Sequence, residues 1–121
     1  MRAIDAFAAQ PNGGLIVFPP LPSLANREAI LQLAAQHQLP TIAAAKAFAT
    51  EGGLMTYGSQ ISDLWRRAAS FVDRILHGAK ASELPVEFPT KFELIINLKT
   101  AKALGLTIPE SFLVRADEVI E

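Results

Sequence analysis

Four short apolar runs, LIVF (15–18), TIAAA (41–45), LMTYG (54–58) and FELIIN (92–97), alternate with stretches of helical periodicity. LIVF is continuous and rich in β-branched residues, which predicts a strand buried on both faces, as in a parallel sheet. Residues 3–10 read as a short helix with Ile4, Phe7 and Ala8 on one face, stopped by NGG at 12–14. PPLP at 19–22 forbids regular hydrogen bonding and predicts a stiff loop. Ser23 or Asn26 can cap a following helix over about residues 24–38, with Ile30, Leu33, Ala34 and His37 inward and Pro40 beyond its end. KAFAT (46–50) suits a single helical turn. Strands that alternate with helices predict an α/β fold with a mainly parallel sheet flanked by helices.

The clearest helical signal lies over residues 60–77. Ile61, Leu64, Trp65, Ala68, Val72, Ile75 and Leu76 keep the spacing of one helical face, while Asp63, Arg66, Arg67, Ser70, Asp73 and Arg74 fall mostly on the other. Ser59 or Ser62 can cap its start, and Gly78 can take the left-handed position after its end. Residues 78–91 carry two prolines and read as a crossing segment. After the FELIIN strand, Asn97 caps a short helix that Gly105 terminates. Pro109 can start a last helical turn, and DEVIE closes the chain as a short strand.

Composition removes several function classes. The 121 residues suit one small domain, and half are hydrophobic, which argues against disorder. A formal net charge of −1 lacks the cation excess of a nucleic-acid surface or polybasic membrane patch. With no cysteine, disulfides, zinc–thiolate sites and cysteine nucleophiles are excluded. The N-terminal stretch MRAIDAFAAQ has no apolar core of signal-peptide length, so no export signal is expected in the chain itself.

Three glycines in EGGLMTYGS (51–59) raise the question of a phosphate cradle. Their spacing matches neither nucleotide-loop pattern, and Gly58 follows a strand instead of opening a glycine-rich nest. Gly52 and Gly53 therefore read as a turn into a strand. His37 and His77 both lie near predicted helix C-termini, where a capping role suffices. The pairs Asp63/Arg67 and Asp73/His77 read as solvated helix contacts of about 0.3–0.5 kcal/mol each. No catalytic set, metal site or cofactor loop is expected, and the chain reads as a non-enzyme. Ligands of open α/β sheets bind beyond the carboxyl ends of the strands. That rule selects Pro20 and Leu21 after the first strand, Ala45 and Lys46 after the second, and Tyr57, Gly58 and Ser59 after the third. Tyr57 can stack on a ligand and donate a hydrogen bond, and Lys46 can meet a carboxylate.

The segments RRAASFVDRILHGAK…LPVE (66–87) and FELIINLKTAKALGLTIP (92–109) resemble the C-terminal part of ABC-transporter substrate-binding proteins with the type I periplasmic-binding fold. AIDAFAAQPNGGLIVFPP…HQLPTIAA resembles the region before it, so the likeness spans nearly the whole chain. It implies a flavodoxin-like or Rossmann-like half of a two-lobed protein, whose lobes are joined by three crossovers and hold a small solute between them. It implies a solute-binding component of an ABC importer, periplasmic, with an ABC permease as partner, a small organic solute such as an amino acid as ligand, and no nucleic acid. Members carry an aromatic residue and an arginine near the position of AAAKAF, where this chain has Ala45 and Lys46.

The chain reads as a single partial lobe over residues 1–121, with 54–78 resembling a segment of a first lobe whose other strands are missing. The apolar stripe of helix 60–77 would then face an absent sheet, and exposing such side chains costs about 1.5–3 kcal/mol each. A homodimer that exchanges the strand–helix unit 54–77 is one expected remedy. An effector-sensing domain of a transcriptional regulator, which uses the same fold, and an assembly fragment that binds nothing are the competing functions.

Overall fold

The computed structural model describes residues 2–18 and 21–121, with the backbone alone at Leu21. In chain order it contains α1 (Arg2–Ala8), β1 (Leu15–Val17), α2 (Leu21–Ala25), α3 (Arg27–Gln36), β2 (Thr41–Ala43), α4 (Lys46–Thr50), β3 (Met55–Ser59) and α5 (Ile61–Leu76). A 3-10 turn at Ala81–Glu83 precedes β4 (Phe92–Asn97), α6 (Leu98–Ala103), α7 (Glu110–Leu113) and β5 (Glu118–Ile120). The chain divides into a sheet unit, residues 1–58 with 93–121, and a smaller unit of residues 59–92.

The strands lie in the order β1-β2-β3-β4-β5. β1 and β2 are parallel, with Leu15 against Thr41 and Val17 against Ala43. β2 and β3 are parallel, with Ile42 against Met55, and β4 and β5 are parallel, with Ile95 against Glu118. The Asn97 amide donates to the Leu54 carbonyl at 2.8 Å, and the Gln60 amide donates to the Lys91 carbonyl at 3.0 Å. The start of β3 thus meets the end of β4, and its end meets the start of β4, so this one pairing is antiparallel. The sheet is mixed and mostly parallel, and its helices follow from the crossovers that parallel strands require.

Leu31 from α3, Ala43 from β2 and Phe48 from α4 form the buried cluster of the sheet unit, with Val17, Ile30 and Ala45 packed against it. Ile95 and Ile96 of β4 are fully buried. Alanines at 43 and 49 leave the short α4 close to the sheet, and both are buried. Asn97 joins three elements. Its side-chain oxygen accepts from the Thr100 amide at 3.1 Å and caps α6, while its nitrogen donates to the Ala49 carbonyl at 2.8 Å. Gly105, with φ at +67°, ends α6, and Leu106 N–H donates back to the Ala101 carbonyl at 2.8 Å.

Several expectations are corrected. β1 is not buried on both faces, because it is a terminal strand of the sheet and Ile16 is 64% exposed. The single helix over 24–38 is two helices, and the first starts inside PPLP. Pro22 is accommodated because a proline in the first turn lacks only an N–H that has no intrahelical partner. Asn26 stands between the helices, and its side chain donates to the Pro22 carbonyl at 2.7 Å instead of capping α3. Ser23 likewise turns back, donating to the Phe18 carbonyl at 3.0 Å. Gln60, not a serine, precedes α5, without a side-chain cap. By compactness, Met55–Gly58 groups with the sheet unit, and the smaller unit runs from Ser59 to Phe92.

The smaller unit inverts the pattern predicted for α5. Its apolar stripe is exposed, at 72% for Trp65 and 80% for Leu76, with Ile61, Val72 and Ile75 exposed as well. The buried residue of the helix is Asp63, which the sequence placed on the solvated face.

Candidate functional site

The carboxyl ends of β1, β2 and β3 gather at one edge of the sheet unit, because the three strands are parallel and in register. Phe18 follows β1 and is 73% exposed. Ala45 precedes the first turn of α4, and Lys46 opens it. Tyr57 and Gly58 lie at the end of β3, and Tyr57 is 57% exposed. Pro20 lies outside the described residues, and Leu21 is placed by its backbone as the first residue of α2. Ser59, the last residue of β3, belongs to the smaller unit.

Gly58 has a specific mechanical reason for being glycine. A Cβ at this position would sit 2.0 Å from the Ala44 carbonyl oxygen. Only a residue without a side chain lets the turn after β2 cross the end of β3 at this distance. The close approach brings Ala45 and Lys46 beside the strand that carries Tyr57. Gly53 plays a similar part below: its missing Cβ would lie 2.7 Å from the Phe48 carbonyl, and Gly52 takes φ +113° in the same turn. Gly52 and Gly53 are thus the turn into β3 that their spacing suggested.

Lys46 is not a free cation. Its ammonium donates to the carboxylate of Glu118, at the start of β5. That hydrogen bond raises the lysine pKa above its ordinary value against a smaller opposing effect of desolvation, with attraction from Glu118 and Glu93 adding to the rise. A ligand carboxylate at this edge would therefore compete with Glu118 for the ammonium. Asp117 secures the same corner, since its carboxylate accepts from the Leu94 amide at 2.8 Å and its own amide donates to the Leu94 carbonyl at 2.9 Å.

Phe18 and Glu118 were not among the predicted positions. Phe18 carried a readable signal, as the large aromatic residue closing the LIVF run just before PPLP. Glu118 carried none, because its partner is 72 residues away in sequence. An apolar groove of about 310 Å³ opens at the other end of the strands, lined by Gly14, Ile16, Pro40, Ile42, Leu54 and Met55. It holds no charged group. Among the described residues no cluster of His, Asp and Glu has the arrangement of a metal site, and no helix is long and apolar enough to cross a membrane.

In solved structures, the chain is similar to a conserved domain protein from Vibrio cholerae O1 biovar El Tor, at 26% identity and a TM-score of 0.89, over 98% of this chain and 40% of that one. It is similar to an ABC domain from Streptococcus pneumoniae solved in complex with L-Trp, at 25% identity and a TM-score of 0.86, with the same coverage. A ligand-free, open substrate-binding protein with adhesive properties from Clostridium difficile shares the fold, at 22% identity and a TM-score of 0.68. The chain spans about 40% of the length of these structures. No curated protein sequence matches it. The sequence profile described as ABC transporter substrate binding protein matches residues 8–120, nearly the whole chain. The chain therefore belongs to the ABC transporter substrate-binding protein family.

Proposed function

We propose that the sheet unit supplies one wall of a solute-binding cleft in a two-lobed component of an ABC importer, and that the solute is an amino acid. The reading rests on one observation above others: the chain follows, over 98% of its length, a structure solved with L-Trp bound. The edge formed by Phe18, Ala45, Lys46, Tyr57 and Gly58 suits this role. It offers two aromatic side chains that are more than half exposed and able to stack on a planar group, and one cation hydrogen-bonded to Glu118. Pro20 and Leu21 complete the proposed contact set. The role is binding and not catalysis, the site of action is periplasmic or extracellular, and the partner is an ABC permease.

In this reading residues 59–92 belong to the first lobe, and the remaining part of that lobe covers the stripe of α5. Two features support it: Trp65, Val72 and Leu76 are exposed, and the chain covers 40% of the length of the matched structures. A second copy of the chain is the other possible cover. A dimer of the isolated chain in sedimentation velocity, lost in Trp65→Glu, would assign the stripe to self-association.

Calorimetry tests the proposal directly. The twenty amino acids are titrated into the chain and into a chimera in which it replaces the matching region of the S. pneumoniae protein. The chimera is expected to bind at least one aromatic amino acid, and the isolated chain to bind it at least tenfold more weakly. A folded chimera that binds none of the twenty overturns the reading, and equal affinity of the two overturns its two-lobed form.

A further inference from the structure

Asp63 is the one buried titratable side chain among the described residues of the smaller unit, and its surroundings are built. Its side chain is 8% exposed on a helix whose apolar residues face solvent. The Lys91 ammonium donates to one carboxylate oxygen at 2.7 Å, Arg67 Nε lies 3.2 Å from the other, and Arg66 lies at 3.6 Å. Arg67 continues outward, donating to Glu87 at 2.8 Å and to the Thr90 hydroxyl at 2.9 Å. Residues 87, 90 and 91 all lie on the segment that returns toward β4, whereas Asp63 and Arg67 lie on the first turns of the helix that leaves β3.

The backbone closes the same arrangement. The Gln60 amide donates to the Lys91 carbonyl at 3.0 Å, and the Asp63 amide donates to the Gln60 carbonyl at 3.1 Å. Together with the Lys91–Asp63 bond, these contacts make a ring of three hydrogen bonds through Gln60, Asp63 and Lys91. Lys91 is held twice, by its carbonyl and by its ammonium. A carboxylate gathered by three cations inside the structure costs desolvation, which its partners must offset. An exposed i,i+4 pair would not need that arrangement.

We propose that Asp63 is the positioning residue of a clasp that holds the outgoing connection at Gln60 against the returning connection at Glu87–Lys91. The clasp prolongs, past the strand ends, the antiparallel pairing that β3 and β4 begin, by joining Glu87–Lys91 to the first turns of α5. The proposal is separate from solute recognition, since Lys91, Arg67 and Arg66, which hold Asp63, are not among the residues proposed to meet the solute. Joined to the two-lobed reading above, it assigns to Asp63 the joint stiffness of two interlobe connections.

Amide hydrogen exchange on the 121-residue chain tests the clasp without a ligand, so its outcome is independent of the solute-binding reading. In Asp63→Asn the Gln60 amide is expected to exchange at least tenfold faster than in the parent, with protection of Ile95 and Ile96 in β4 unchanged. Lys91→Met removes the same contact from the other side and is expected to give the same change at Gln60. Lys91→Arg, which keeps a cation beside Asp63, is expected to retain the protection that Lys91→Met loses, which a purely helix-stabilising role of Asp63 would not require. Unchanged protection at Gln60 in both Asp63→Asn and Lys91→Met overturns the proposal. If Asp63→Asn fails to fold, Lys91→Met alone decides it.

Discussion

The two units of this chain bury opposite kinds of residue. In the sheet unit, Ile95, Ile96, Phe48 and Ala49 are inside. In residues 59–92 the buried side chain is the charged Asp63, while Trp65, Leu76, Val86 and Phe88 are 72–86% exposed. Both were written with apolar periodicity, yet only one is closed by its own chain. Periodicity states which face of a helix seeks cover, and it is silent on whether the cover lies in the same stretch of sequence.

The comparison breaks most directly at the core. Ile95→Ala is expected to cost about 2–5 kcal/mol in urea unfolding, as deletion of a fully buried aliphatic side chain does. A cost near zero would mean that the sheet unit is as loosely packed as the smaller one. Gly58→Ala forces the Ala44 turn to move and is expected to cost about 1–3 kcal/mol. It should also weaken any ligand that binds at the edge, readable by calorimetry on the chimera. Lys46→Met deletes an exposed ion pair and is expected to lower stability by less than about 1 kcal/mol. Trp65→Ala in the isolated chain is expected to change stability by no more than about 0.5 kcal/mol, because its ring already faces solvent. A cost of several kcal/mol there would show that the stripe is covered in solution.

Acid titration sharpens the same contrast. The hydrogen bond from Lys91 holds the Asp63 carboxyl below its ordinary value, against an opposing effect of desolvation, with attraction from Lys91, Arg67 and Arg66 in support. A folded-state pKa below the unfolded one, about 4, gives stability that is present above that pH. It is lost as pH falls through the depressed folded value. Protection of Gln60 should therefore persist well below pH 5 and fail in stronger acid, and Asp63→Asn should remove that acid limb. A transition at the ordinary carboxylate pH would contradict the depressed value.

Local signals carried most of the fold. FELIIN spans β4 residue for residue, Asn97 caps α6 by its side chain, and Gly78 and Gly105 take the left-handed conformation after their helices. These features depend on residues a few positions apart, so one sequence suffices to read them. The edge of β1, the antiparallel pairing of β3 with β4, and the bond from Lys46 to Glu118 depend on distant segments, and no local pattern encodes them. Gly58 lies between these cases. Its presence at a strand end was plain, but the reason, an Ala44 carbonyl crossing above it, appears only when β2 and β3 are aligned.

The bare side of β1 has a consequence for handling the molecule. A terminal strand can template the addition of a foreign strand, which is the usual beginning of sheet-mediated polymerisation. Here the template is three residues long, and PPLP follows one residue later. Proline has no N–H to extend the ladder, so an incoming strand finds only a few bonds to make. The chain thus limits strand-by-strand growth by brevity, with no charged residue on the strand itself.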